Sequence, residues 1–412
     1  MSSFFPRVRL NEAVGSNGRV IGGPFGSDLT ADDYVSSGIP VIRVTNQVGK
    51  TVAGEFVYVT EDKAKKLSAN IARPGDIVVV QRGSTYGKVS KIPERADYAE
   101  YVVCQSQMAI SVDESAISRE YLFQALLSSF FNRHVEASVI QTGQPHINLG
   151  ILRDAKIPIP PLPEQRRIAE ILRTWDEAIE KLEALLAAKD RRRKGILQQI
   201  LGNGVDFPSD WKATALSAIT TRVGRTNDGG DHPVMTISAK SGFLMQSEKF
   251  ARDMAGSSVD KYTLLHQGEF AYNKGNSKTA PYGCIFALDR PTAVIPFVYF
   301  CFRLNDGHDH RFFEQMFKAG ILNHQLSKVI NSGVRNDGLL NLYADDFFSC
   351  VVPVPPRDEQ ERISRAITAL NDDIALTDNE IAALQRQKRG LMQKLLTGKW
   401  RVKLEDVTAV PG

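Results

Sequence analysis

The sequence predicts an α+β protein: two pseudo-symmetric mixed α/β domains separated by a long two-helix antiparallel coiled coil. Three observations predict it. The 412-residue chain repeats itself without a gap over 44 positions, residues 158–201 against 353–396. Apolar residues recur at three- and four-residue spacing along both copies, which is a heptad pattern. The stretches before the two copies match only in scattered places, so each half reads as a divergent domain followed by a similar helix.

The repeat opens as PIPPLPEQRRIAEIL from Pro158 and as PVPPRDEQERISRAI from Pro353. At an offset of 195, Glu164 matches Glu359, Gln165 matches Gln360, Arg191 matches Arg386 and Gly195 matches Gly390. Weaker matches at an offset of 193 join Pro40-Val41-Ile42 to Pro233-Val234-Met235, and Gly75-Asp76-Ile77 to Gly268-Glu269-Phe270. These matches divide the chain into a first domain (1–157), a spacer helix (158–203), a second domain (204–352), a second spacer helix (353–400) and a tail (401–412). Arg7-Val8-Arg9-Leu10 recurs as Arg401-Val402-Lys403-Leu404. On that likeness the tail is expected to pack near the first domain; a chance surface strand is the alternative.

The helix seam is expected to consist of Ile168, Leu172, Trp175, Ile179, Leu182 and Leu186 against Ile363, Ile367, Leu370, Ile374, Ile381 and Leu384. Lys189, Arg193, Thr377 and Lys388 continue it with polar side chains. The prolines force an extended approach, and Pro163 and Asp358 mark the helix starts. Gly195 and Gly390 each cost about 1 kcal/mol in a helix interior, which suggests a close helix crossing or a local break. The stripes are too long for one small domain to cover, so the helices should pack on each other rather than each on its own domain. Basic clusters at 189–194 and 386–389 suit phosphates or an acidic partner, or simply a solvated face.

Composition narrows the function. Hydrophobic residues are 42% and charged residues 24%, with net charge +4, so the chain is globular and only mildly basic. Four cysteines lie far apart with no CxxC pair, which fits a reducing compartment better than a disulfide scaffold or a zinc ribbon. The longest apolar run, Ala293 to Phe302, is ten residues, half of a membrane span. No phosphate loop, dinucleotide fingerprint, HExxH or adenine-methylating Asn-Pro-Pro-Tyr loop occurs, and His308-Asp309-His310 alone is a weak metal signal. Recognition is therefore expected rather than catalysis.

In the divergent domains, residues 76–80 and 269–272 read as strands, and 119–131 and 311–319 as helices. Polar, glycine-containing loops follow each central strand and precede each proline-rich segment. Arg reads guanine, Gln and Asn read adenine, and Lys, Ser and Thr suit phosphates. The candidate DNA-binding residues are Arg43, Arg82, Ser84, Thr85, Tyr86, Lys88, Gln141, Gln144 and His146 in the first domain. In the second they are Asn273, Lys274, Asn276, Ser277, Lys278, Arg335 and Asn336. Ordinary hydrophilic loops are the alternative for any one of them.

The two Pro-Pro-x-x-Glu-Gln openings and the helix-ending LLTGKWRV resemble the specificity (S) subunit of type I restriction–modification enzymes, over the whole chain. The resemblance implies two target recognition domains that each bind one half of a split, asymmetric site in double-stranded DNA, with the helix pair as the spacer. It implies two modification (methyltransferase) subunits carrying S-adenosylmethionine and the catalytic loop, and two restriction subunits using ATP and Mg. It places no cofactor, metal or catalysis in this chain, and implies a cytoplasmic bacterial or archaeal protein of phage defence. The family has no fixed recognition motif to carry over. A protein-interaction scaffold and a self-sufficient nuclease or methyltransferase are the competing readings.

Overall fold

The run Ile77–Val80 has the composition of a strand buried on both faces, and all four residues are buried. In the computed structural model, which describes residues 5–141, 144–201, 210–246, 256–275, 280–330 and 339–403, it lies at the heart of the first of two units. Unit 1 comprises Met1–Glu183 with Asn379–Gly412, and unit 2 comprises Ala184–Asp378. In unit 1, Ile77–Val80 pairs antiparallel with Gln107–Ser111 on one side and Val89–Lys91 on the other. Arg19–Gly22 flanks Gln107–Ser111, and two short strands complete a six-stranded sheet. A second sheet of four strands is built around Ile39–Ile42 and Tyr101–Val103.

Unit 2 repeats the frame. Thr220–Arg222, Phe300–Leu304, Phe270–Asn273 and Cys284–Ala287 lie side by side in that order, which is the order of Arg19–Gly22, Gln107–Ser111, Ile77–Val80 and Val89–Lys91 in unit 1. The two middle strands match at the offset of 193 seen in the sequence. A two-stranded ribbon ties the start of each domain to its end: Arg7–Arg9 with Lys156–Pro158, and Lys212–Ala215 with Val351–Val354. Pro158, Pro353 and Val354 are therefore strand residues, and the helices begin later than the sequence boundaries 158 and 353.

Four helices join the domains to the spacer: α1 (Arg119–Leu126), α2 (Leu162–Leu201), α3 (His310–Lys318) and α4 (Arg357–Leu396). The expected helix over 119–131 ends early, because Ser128 turns its hydroxyl onto the Ala125 carbonyl, and a second helix restarts at Ser129. α2 and α4 are 40 residues each, about 60 Å at 1.5 Å per residue.

The Glu-Gln signature has a physical role. Gln165, 1% exposed, donates its amide to the Pro160 carbonyl at 2.9 Å and accepts the backbone N–H of Ser118 at 2.9 Å. Ser118 is the N-cap of α1. Gln360 does the same in unit 2, donating to the Pro355 carbonyl at 2.8 Å and accepting from the N–H of Asp309, the N-cap of α3, at 2.8 Å. One buried amide thus locks the proline bend and docks the long helix onto the cap of the domain's own helix. Glu164 and Glu359 differ. Glu164, 2% exposed, receives Arg401 through two bonds of 2.8 Å, and Val402 packs on the first domain's core. Glu359 meets Arg362 on its own helix. The tail therefore touches unit 1 at Arg401 and Val402; residues 404–412 lie outside the described residues.

Within each unit the long helices run antiparallel. In unit 1, Asp176 faces Lys388 and Glu183 faces Gln385. In unit 2, Lys189 bonds Asp373 and Thr377, and Arg193 bonds Asn371. Ile179, Ile381 and Ile367 are buried at the seam, while Trp175, Leu182, Leu186, Leu370, Ile374 and Leu384 are half-buried. The helix ends also join the domain cores. Ile168 and Leu172 join Met392, Leu395 and Leu396 in the core of the first domain, and Ile363 packs on the core of the second. The seam assignment of Ile363 is corrected accordingly: it anchors α4 to its own domain, whereas Ile168 and Leu172 share their cluster with side chains of α4. Gly195 and Gly390 need correcting too. Both helices continue through them, and a Cβ at either would meet nothing within 4 Å, so neither a close crossing nor a break explains them.

Candidate nucleic-acid interface

The residues that open the loop after each central strand pair with the residues that close the loop before each proline-rich segment. In unit 1 the Gln81 carbonyl accepts the N–H of Ile147 at 2.9 Å, and Arg82 bridges His146. In unit 2 the Lys274 carbonyl accepts the N–H of Leu340 at 2.8 Å, and Gly275 bridges Leu339. These are the same positions at the offset of 193. Arg82 therefore corresponds in position to Gly275, and Gln81 to Lys274. Gly83 and Gly87 hold φ of +101° and +78°, where a side chain is strained, and a Cβ on Gly87 would lie 2.8 Å from Val135.

Arg43 and Arg82 line one cleft of about 410 Å³, with Tyr34, Thr45, Gln105 and Ser106 on its walls. None of the lining residues is acidic, and among the described residues neither arginine has an ion-pair partner. The Nε of Arg43 is buried without a hydrogen bond. Burial pushes the Tyr34 phenol up, so it stays a neutral hydrogen-bonding group. Two guanidiniums with hydroxyl and amide neighbours suit phosphates and base edges. The acid-free lining does not fit a divalent cation.

The remaining candidates divide. Ser84, Thr85, Gln141 and Gln144 are exposed and His146 is half-buried, its Nδ1 3.0 Å from the Gln144 carbonyl. Lys88 instead donates to the Gln47 carbonyl at 2.6 Å and Tyr86 packs on the first domain's core, so both are committed to the fold. Asn273 is committed as well, donating to the Ile237 carbonyl at 3.0 Å and accepting from Gly275 at 2.9 Å. Lys274 sits 5.2 Å from the Phe300 ring centroid. Asn276, Ser277, Lys278, Arg335 and Asn336 lie outside the described residues. Of the His308-Asp309-His310 run, Asp309 caps α3 and His310 meets the Gly268 carbonyl at 2.8 Å. Sequence reasoning missed Tyr34, Gln105 and Phe25. Phe25 is 88% exposed, and the carbonyl of its neighbour Gly26 accepts from Gln105; an aromatic residue between Pro24 and Gly26 was the available signal.

The basic clusters also divide. Lys189, Arg193 and Lys388 turn into the helix seam, whereas Arg191, Arg192, Arg386, Gln387 and Arg389 are exposed. Cys104, Cys301 and Cys350 are free thiols. Among the described residues no helix is long and apolar enough to cross a membrane.

A loop-presenting α/β domain built twice, each copy docked on a long helix by the same buried glutamine, defines a duplicated recognition protein. The comparisons agree: residues 26–188 match the family model of the type I restriction modification DNA specificity domain. The MjaVIII type I specificity subunit of Methanocaldococcus jannaschii is 23% identical over 85% of this chain and 84% of its own. The EcoKI specificity subunit of Escherichia coli K12 is 22% identical over 91% and 85%. The fold is shared with a chain from a type I R-M system studied for complex assembly and conformational transition (TM-score 0.59, 16% identity, 97% of this chain and 100% of that one). It is shared too with the type I S subunit of M. genitalium (TM-score 0.54, 16% identity, 95% and 96%). The chain is thus similar, over most of its length, to specificity subunits of type I restriction–modification systems, and residues 26–188 match that family's domain model.

Proposed function

We propose that this chain reads DNA sequence for a type I restriction–modification complex, each unit's loop pair addressing one half of a bipartite, asymmetric site. The observation that carries this reading is the backbone pairing at the base of the two loops, made twice on the same strand frame and bordered in unit 1 by an acid-free cleft holding Arg43 and Arg82. Each arginine offers a forked donor to guanine or phosphate. A mismatch costs about 1–3 kcal/mol per base pair, roughly additive across separate positions, so two short reads combine into one selective read. The gap between half-sites follows the helix length.

The chemistry belongs to partners. Two methyltransferase subunits supply S-adenosylmethionine and the catalytic loop, and two restriction subunits add ATP- and Mg-dependent cleavage. This chain makes no bond; it binds, orients and recruits. Leu185 and Leu376 on the long helices, 44% and 68% exposed, are apolar positions suited to a protein partner. The test is a salt titration of the chain assembled with its methyltransferase partner on target DNA. The logarithm of the affinity is expected to fall linearly with log salt, with a slope set by the phosphates neutralised. A salt-independent affinity would favour an interaction scaffold instead.

A further inference from the structure

The repeat places three polar side chains at one node in each unit, and the two nodes are in different states. In unit 1 the node is closed. Asp176 of α2 receives Lys388 of α4 at 2.6 Å, Gln124 of α1 at 2.9 Å, and Lys50. The side chains of Asp176 and Lys388 are each 9% exposed. Residues 195 positions away fill the corresponding helix places in unit 2: Asn371 stands for Asp176, and Arg193 for Lys388. Gln315 stands for Gln124, since each lies six residues after the N-cap held by the docking glutamine.

The unit 2 node keeps its cation and its glutamine, but an amide, Asn371, stands where unit 1 has the Asp176 carboxylate. Arg193 reaches the Asn371 carbonyl oxygen at 3.3 Å, and its Nε is buried without a hydrogen bond. The node opens on a cavity of about 470 Å³ whose lining includes Arg193, Lys194, Gln315, Lys318 and Asn371, and no acidic residue. The nearby carboxylates are outside that lining: Asp190 pairs with Arg193 and Lys194 at 2.7 and 2.8 Å, and Glu314 with Lys318 at 2.6 Å. One guanidinium, two ammonium groups and two amides thus converge on a space whose counterpart is completed by a carboxylate from the chain itself.

We propose that this cavity is a carboxylate-binding site, and that a ligand carboxylate completes the unit 2 node as Asp176 completes the unit 1 node. The carboxylate comes either from an acidic side chain of a partner protein or from a free small carboxylate. The inference does not depend on the DNA-reading proposal, because it concerns the helix pair and is measured without DNA.

The experiment has two arms. In the first, thermal denaturation of the full chain is followed in glutarate, phosphate and chloride at matched ionic strength. Glutarate is expected to raise Tm saturably and more than phosphate does. Arg193→Gln is expected to abolish the rise. Asn371→Asp, which supplies the carboxylate internally, is expected to raise Tm in chloride and remove the response to glutarate. Should Arg193→Gln fail to fold, Lys318→Gln is expected to weaken the glutarate response in its place. An identical glutarate response in wild type, Asn371→Asp and the cation variant overturns the site, and so does a lowered Tm for Asn371→Asp in chloride. A larger response to phosphate overturns the carboxylate assignment. The second arm identifies the source by measuring assembly with the methyltransferase partner. Tenfold or greater weakening by Asn371→Asp assigns the carboxylate to the partner, and unchanged assembly assigns it to a small molecule.

Discussion

Asp176→Asn removes the carboxylate of the unit 1 node and leaves two lysines facing an amide. Lys388 is the residue at risk, because its side chain is 9% exposed. Breaking a buried ion pair by removing one partner costs about 3–5 kcal/mol, since the remaining charge stays desolvated. Lys388 keeps the Gln124 carbonyl oxygen at 3.4 Å, and Asn keeps one acceptor, so the low end, about 3 kcal/mol, is expected. For a unit of roughly 200 residues each kcal/mol lowers Tm by about 2–4 °C, giving a fall of about 6–12 °C. Differential scanning calorimetry of the full chain at neutral pH measures it. Lys388→Met in the Asp176→Asn background should recover part of the loss, a coupling of about 1–3 kcal/mol. The pH dependence has a definite sign. Burial pushes the Asp176 carboxyl up, but hydrogen bonds from Lys388, Lys50 and Gln124 outweigh it and hold the group below its ordinary 3.8. A depressed carboxyl contributes stability above its unfolded value and loses it as pH falls through the folded value. The gap between wild type and Asp176→Asn should therefore narrow below about pH 4. A Tm within about 2 °C of wild type at neutral pH would refute the reasoning.

Three other outcomes are expected. Gln165→Ala leaves the Ser118 N–H and the Pro160 carbonyl without their buried partner and should cost about 1–3 kcal/mol, with Gln360→Ala costing a similar amount; urea unfolding checks both. Gly390→Ala should stabilise by up to about 1 kcal/mol, because the helix is continuous and the added methyl meets open space, again read by urea unfolding. Arg82→Ala and Arg43→Ala, assembled with the methyltransferase partner, should weaken binding to duplexes carrying the unit 1 half-site by about tenfold or more, on the order of 1–3 kcal/mol for a bidentate contact, and leave the other half-site unaffected in a gel-shift competition.

The repeat was legible because it recurs as a signature: Gln165 and Gln360 stand in matching places and make matching bonds, and the heptad stripe by itself announces a helix seam. What the seam would hold was less legible. Periodicity places Lys388 and Arg193 on the stripe, yet only folding brings Asp176 opposite Lys388 and Lys50 beside both. One end of the stripe misled, because Ile363 obeys the heptad spacing while serving the core of its own domain. The loops were legible as groups and not as residues. Polarity marked the 81–88 segment, but Lys88 spends its ammonium on a backbone carbonyl and Asn273 spends its amide on the Ile237 carbonyl. Arg43 and Arg82 reach one cleft from just beyond the ends of two separate strands, a proximity that local pattern does not encode.

The most direct test of the central claim is a genome-wide map of methylated adenines in the native host, with and without this gene. The account predicts that methylation disappears from a single two-part motif whose halves are separated by a constant unspecified gap. Loss at one uninterrupted motif, or a map that is the same in both strains, would contradict it.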